Sequence, residues 1–492
     1  MAYKDASPEE IDVAVRESYF AFQSYKNLSA TKRATFLRAV AQEIENLGQE
    51  LIKTAMEETA LPEARIVGER GRTTGHLKMF ADYIEEGSWV EARIDTAKPD
   101  RAPVPKPDLR KMLVPLGPVI VFGAANFPLA YSTAGGDTAS ALAAGCTVIV
   151  KAHPAHAKTS QLVADAIDRA AKATGIPKGV FQHLHGAGFE VGQALVKHPL
   201  TKAVGFTGSF AGGKALFDLA NQRQEPIPVF AEMSSINPVI LLPESLKKNF
   251  VDTAAKLATS MTMGVGQFCT NPGLVIAIEH EGLTDFVSAL AVKITEQQPE
   301  TMLHGGIADN YSRKLGQALA QKGVRIEAEA AGEPGKRQGK ALIASATATT
   351  FLNNPLLAEE VFGPFSLLIR CADRHELHTV ISKLQGQLTS TVIGDETELM
   401  EYQSCIRALT DKAGRIIING VPTGVEVCPA MQHGGPFPST TDSRFTAVGT
   451  DAIKRFARPV AFQNCPEALL PEALKESNPL NIWRLYNGSW KK

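Results

Sequence analysis

The sequence predicts an α/β fold, with one largely parallel sheet followed by a second α/β unit, on three observations. From Met112 onward, short apolar runs alternate with segments of helical period, the pattern of parallel strands joined by crossover helices. A second alternating region begins near Pro238, while the first hundred residues read as mostly helical. At 492 residues the chain has room for about three domains, each with its own core.

In chain order, Ser7-Pro8-Glu9-Glu10 is a helix start, with a capping serine, proline in the first turn and acids against the dipole. Ile11, Val15, Tyr19 and Phe22 continue it at helical spacing, and a second amphipathic run covers Thr31 to Glu58. Between Trp89 and Met112 the chain turns Pro-rich and charged, which suits an extended arm. Strands are expected at Val119 to Phe122, Thr147 to Lys151, Val180 to Leu184, Ala203 to Phe206 and Val229 to Glu232. Helices fill the gaps at Gly136 to Ala144, Thr159 to Thr174, Glu190 to Lys197 and Gly212 to Gln222. The second region runs through Val251 to Met261, Leu283 to Glu296, Tyr311 to Lys322 and His375 to Leu384, with a strand at Arg415 to Gly420 and a Gly/Pro loop at Gln432 to Pro438.

Composition narrows the function. Lysine plus arginine number 51 against 52 acids, a net charge of −1, so no basic excess points to nucleic acid or an anionic membrane; the expected partner is a small molecule. The run Met112 to Ala125 is broken by Pro115, Gly117 and Pro118 and is too short to span a bilayer, and residues 1 to 25 lack the pattern of a signal peptide. Cys146, Cys269, Cys371, Cys405, Cys428 and Cys465 show no metal-ligand spacing, so the expectation is a reduced, cytoplasmic enzyme without a metal.

Six segments carry candidate chemistry. Gly264-Val265-Gly266-Gln267-Phe268-Cys269 places a thiol in a flexible loop before an Asn-Pro-Gly turn. Ala125-Asn126-Phe127-Pro128 follows a strand at its carboxyl end; the Asn126 amide can meet an oxyanion there, or the segment is simply a turn. The strand ending at Lys151 sets a cation at the sheet edge, a cofactor ligand or a solvated lysine. Phe206-Thr207-Gly208-Ser209 to Gly213 is a strand, Gly-rich turn and helix that can hold a phosphate, without GxGxxG spacing. Ala231-Glu232 puts a carboxylate at a strand end, where partial burial would raise its pKa and fit it for general base work. Glu359-Glu360-Val361-Phe362-Gly363-Pro364 combines acids, an aromatic ring and a turn.

These segments, in this order, resemble the aldehyde dehydrogenase superfamily over nearly the whole chain. The resemblance implies a Rossmann-type cofactor domain (1–90 and 112–232), an α/β catalytic domain (233–447) and oligomerisation elements (91–111 and 448–492). It implies Cys269 as nucleophile, Glu232 as general base, and Asn126 with the Cys269 N–H as oxyanion site. Lys151, Gly208, Ser209 and Gly213, with Glu360 and Phe362, become cofactor contacts. Pro154 stands where many members have a ribose-binding glutamate, which removes a repulsion against a 2′-phosphate; Lys151 with His153 would add attraction, so NADP is expected ahead of NAD. Glu-Met-Ser-Ser-Ile-Asn-Pro, Ala-Gly-Gly-Asp and His-Pro-Ala-His resemble a branch of α-ketoglutaric semialdehyde dehydrogenases and NADP-linked fatty aldehyde dehydrogenases. The first reading is preferred, with Arg70 and Arg72 as candidate carboxylate ligands or as a solvated helix face. Apolar stretches Ile453 to Val460 and Leu480 to Tyr486, hard for a monomer to cover, add to an expected homodimer or homotetramer. The competing readings are an acyl-transferring dehydrogenase and a catalytically silent structural member.

Overall fold

The computed structural model describes residues 3–492. Helix Pro8–Tyr25 starts at the expected capping serine, which forms a full capping box, the Ser7 hydroxyl accepting from the Glu10 N–H and the Glu10 carboxylate from the Ser7 N–H. The run Thr31 to Glu58 is two helices, Ala30–Asn46 and Gly48–Thr59, because the chain turns at Gly48, whose φ of +52° lies in the left-handed region. A long helix, Glu63–Glu86, follows.

The first sheet has five parallel strands in the order Phe181–Leu184, Thr147–Lys151, Pro118–Phe122, Ala203–Thr207, Val229–Glu232. Its strands are near-continuous apolar runs because helices cover both faces. The period of two sorts them: Val119, Val121, Val148 and Val150 pack with Phe36, Leu37 and Ile167, while Ile120, Ile149 and Val204 pack with Ile11, Val15 and Leu195. The second sheet has seven strands, in the order Arg325–Glu329, Leu342–Thr347, Phe365–Cys371, Leu274–Ile278, Val239–Leu241, Gln387–Ile393, Ala413–Ile418, all parallel except the first. It too is sandwiched between two apolar clusters.

The Pro-rich arm and the tail form a third sheet, ordered Ala457–Gln463, Leu109–Pro115, Arg93–Asp95, Arg484–Tyr486, Ser489–Lys491. Here one expectation changes. Ile453 and Phe456 are fully buried in the chain's own core, and the strand that follows pairs with Leu109–Pro115, so Ile453 to Val460 needs no second subunit to cover it. The tail leaves Leu469, Leu480, Trp483 and Trp490 exposed.

A loop that follows the second sheet meets the last strand of the first. Met233 donates its N–H to the Ser439 carbonyl at 2.7 Å, and Thr441 donates to the Ala231 carbonyl at 3.1 Å. Residues 439–441 therefore strap the edge strand that ends in Glu232. Among the described residues no helix is long and apolar enough to cross a membrane.

Candidate active site

Parallel strands all point the same way, so the loops after Phe122, Lys151, Thr207 and Glu232 open on one edge of the first sheet. The loop carrying Asn126 is held from below by Glu69, a fully buried acid on Glu63–Glu86 whose Oε1 accepts from the N–H groups of Leu129 and Ala130 at 2.8 and 2.9 Å. Asn126 donates its side-chain amide to the Gln267 carbonyl at 3.1 Å, which brings it beside the cysteine loop.

That loop is backbone-strained. Gly264, Val265 and Gly266 take φ of +55°, +57° and +63° in succession, unusual for a β-branched residue such as Val265. Gly266 lies flat against Gly363, where an added Cβ would meet the Gly363 carbonyl at 2.3 Å. Asn237, fully buried, donates its amide to the carbonyls of Cys269 and Asn271, each at 2.9 Å. Among the described residues the Cys269 N–H has no acceptor, so it is free, with the second Asn126 N–H, to meet an oxyanion.

Glu232 ends its strand 97 % buried in its side chain, and the imidazole of His433 reaches it from the Gly/Pro loop: His433 Nε2 lies 3.1 Å from Glu232 Oε2 and 3.6 Å from Cys269 Sγ. Thiol, imidazole and carboxylate all fall within 4.8 Å of one another. His433 is itself fixed, its N–H bonded to Thr446 Oγ1 at 2.8 Å and its carbonyl to the Ala447 N–H at 2.7 Å. The expectation of a partly buried, pKa-raised Glu232 is thus revised. Burial does push the carboxyl up, but the charge and contact of His433 outweigh it and hold Glu232 below the usual carboxylate range. Burial and the neighbouring Glu232 push the Cys269 thiol well up.

The residues expected to hold a cofactor lie along the same edge. Lys151 is buried at its strand end with no carboxylate partner among the described residues, and burial lowers its pKa. His153 does not supply the expected charge: burial and its neighbours His156, Lys151 and His304 hold it neutral. Ser209 caps the helix Phe210–Asn221, accepting from the Gly212 N–H. Gly213 has no room for a side chain, a Cβ there falling 2.6 Å from Met233, so helix and strand approach closely beside a turn suited to phosphate. Of the two acids, Glu359 pairs outward with Lys314, while Glu360 turns toward Ser234 and Ser235 and is pushed up by burial to about 7. Glu360, Phe362 and Gly363 share a cavity with Gly266, and Asn271 ties the two loops by donating to the Gly363 carbonyl at 3.1 Å.

The profile of the aldehyde dehydrogenase family matches residues 1–459. The chain belongs to that family. This aldehyde dehydrogenase is 48 % identical over 487 residues to the α-ketoglutaric semialdehyde dehydrogenase of Acinetobacter baylyi, covering 99 % of this chain and 92 % of the relative. It is 50 % identical over 484 residues to α-ketoglutaric semialdehyde dehydrogenase 2 of Azospirillum brasilense, covering 98 % and 92 %. Among solved structures, a glyceraldehyde-3-phosphate dehydrogenase of Methanocaldococcus jannaschii complexed with NADP superimposes with a TM-score of 0.78 over 94 % of this chain and 95 % of that one, at 19 % identity. The fold is therefore that of the aldehyde dehydrogenases, enzymes that oxidise aldehydes with NAD(P).

Sequence reading had missed His433, Asn237 and Glu69. His433 sat in view within Gln432 to Pro438, but only as part of a Gly/Pro loop. Asn237 carried no usable signal: its φ is +45°, a left-handed conformation that asparagine tolerates, whereas a residue before proline is expected to be extended.

Proposed function

We propose that this aldehyde dehydrogenase oxidises α-ketoglutaric semialdehyde (2,5-dioxopentanoate) to 2-oxoglutarate, with NADP preferred and NAD also accepted. The observation that carries the substrate is the near-full-length identity of about half to two relatives so named. The cofactor preference rests on Pro154 in place of an acid and on Lys151, which makes no salt bridge among the described residues; His153 adds nothing to it.

Cys269 is the nucleophile in this reading. It rests as a thiol, so attack on the aldehyde carbon requires its proton to pass to the adjoining carboxylate–imidazole pair. Asn126 and the Cys269 N–H hold the thiohemiacetal oxyanion. Lys151, Gly208, Ser209, Gly213, Glu360 and Phe362 hold the dinucleotide, whose nicotinamide supplies the hydride acceptor when bound. Once the proton taken from Cys269 has passed on to solvent, Glu232, held ionised by His433, takes a proton from the water that cleaves the thioester. A hydrolytic base so poised disfavours acyl transfer to another acceptor, and the intact set of Cys269, Glu232 and Asn126 disfavours a silent structural role.

We further place the division of labour at 1–90 with 112–232 for cofactor, 233–447 for catalysis, and 91–111 with 448–492 for assembly as a homodimer or homotetramer in the cytoplasm. The deciding experiment measures initial rates on α-ketoglutaric semialdehyde and on a long-chain aldehyde with each cofactor, beside Cys269→Ala. Higher kcat/KM on the keto acid with NADP and a dead variant bear the reading out; a preference for the long-chain aldehyde overturns the substrate.

A further inference from the structure

The helix Glu63–Glu86 presents Arg65, Glu69 and Arg72 at i, i+4 and i+7, one face turned toward the Asn126 loop. Arg70 is out of phase and bonds the Gly48 carbonyl at 3.3 Å, away from the site. The two arginines on the inner face differ. Arg65 is compensated: its Nε lies 3.5 Å from Glu69 Oε2, and its guanidinium is sandwiched between the rings of Phe127 and Phe268 at 4.5 and 4.4 Å. Arg72 meets only a neutral acceptor, the Tyr131 hydroxyl at 3.0 Å, lies over the Tyr131 ring at 5.1 Å, and keeps a buried Nε without a partner among the described residues.

A second cation approaches from the other sheet. Arg415 donates to the carbonyls of Pro422 and Gly424, each at 3.1 Å, sits 3.8 Å from the Met431 sulfur, and also has a buried, unpartnered Nε. Phe127, Tyr131, Phe268, Val425 and Met431 form one apolar cluster next to Cys269, and both guanidiniums border it. A buried cation with no carboxylate beside it is costly until an anion completes it. The only acid facing Arg65 and Arg72 on their own helix, Glu69, is spent on Arg65 and two backbone N–H groups; Glu232, the other acid near Cys269, is held by His433.

We propose that Arg72, supported by Arg415, binds the carboxylate of the substrate, making this the residue that selects an aldehyde carrying a carboxylate over an apolar one. The assignment rests on the semialdehyde reading above. In that substrate the carboxylate lies four carbon–carbon bonds from the aldehyde carbon, short enough for the reacting end to stay at Cys269 while the other meets a guanidinium bordering the same cluster. The planar fork of arginine suits two-point contact with a carboxylate. Tyr131 accepts from Arg72, so its own O–H proton remains to donate to the 2-oxo group beside the carboxylate.

The test compares kcat/KM for α-ketoglutaric semialdehyde with that for pentanal, an uncharged aldehyde of the same length. Arg72→Gln lowers this ratio about tenfold or more, through KM for the keto acid; Arg72→Lys, which keeps the charge and loses the fork, lowers it less; Arg70→Gln leaves it unchanged. In parallel, glutarate slows alkylation of Cys269 by iodoacetamide in the wild-type enzyme and fails to do so in Arg72→Gln. An unchanged ratio with glutarate protection retained overturns the assignment. Wild-type enzyme that oxidises pentanal as well as the keto acid sinks the substrate reading instead, and the carboxylate site then stands or falls on glutarate protection alone.

Discussion

His433 sets the working charge of Glu232. Burial alone would raise the pKa of this carboxyl, and the imidazole 3.1 Å away reverses the sign, so the base is ionised at neutral pH and loses that form only as pH falls through its depressed pKa. In His433→Gln the largest opposition to burial is gone, and only the weaker pull of Cys269 and Arg72 remains. The acid limb of the kcat–pH profile then moves upward, turnover at pH 7 drops about tenfold, and part of it returns toward pH 9. An acid limb identical to that of the wild type would show that Glu232 owes its charge to something else. Glu360 makes a separate prediction. Its carboxyl titrates at about 7, and the ionised form is the stronger acceptor for a ribose hydroxyl, so KM for the cofactor falls severalfold between pH 6 and pH 8. Glu360→Gln flattens that dependence and raises KM at pH 8. A residue such as Cys269 was legible because its neighbours in sequence advertise it. His433 was not, because it lies 164 positions from Cys269 and is brought there by the folding of the chain.

At the scale of the element, the cysteine loop holds its shape through three consecutive left-handed residues and a glycine–glycine contact. Gly266→Ala would place a methyl 2.3 Å from the Gly363 carbonyl, with Pro364 N at 2.5 Å, and neither is the yielding end of a side chain. The loop must move, so we expect a stability loss of about 3 kcal/mol or more, read as a lowered thermal midpoint, together with slow alkylation of Cys269. A variant with the wild-type midpoint and thiol reactivity would mean that the loop tolerates the shift. Regular elements were readable almost to the residue where both signals agreed: Thr147–Lys151, Gly136–Ala144 and Glu190–Lys197 match because an apolar period and a flanking Gly or His-Pro break coincide. The helix read from Tyr311 begins earlier, at Gly305, because two glycines after His304 look like a break and are in fact its first turn. Arg72 and Arg70 could have been separated by phase alone, 72 falling in step with the buried Glu69 and His76.

For the whole molecule, the third sheet is the part most easily turned outward. Trp490 and Trp483 are 62 % and 48 % exposed, and Ser489–Lys491 is an edge strand with a free hydrogen-bonding side. Sedimentation velocity should give a species well above the 52.8 kDa chain mass, and replacing both tryptophans with aspartate should reduce it by at least one halving step. A wild-type species at the chain mass would remove the assembly proposal. The strap of residues 439–441 over the last strand of the first sheet bears on a different property. Carboxylate, thiol and imidazole arrive on three separate stretches of chain that share no element and converge only at that edge. Turnover is therefore a gauge of alignment between two bodies that can each remain intact. A slip of an ångström along their common border silences the chemistry while every strand ladder on either side stays in register, and in rising urea the enzyme goes quiet before it unfolds.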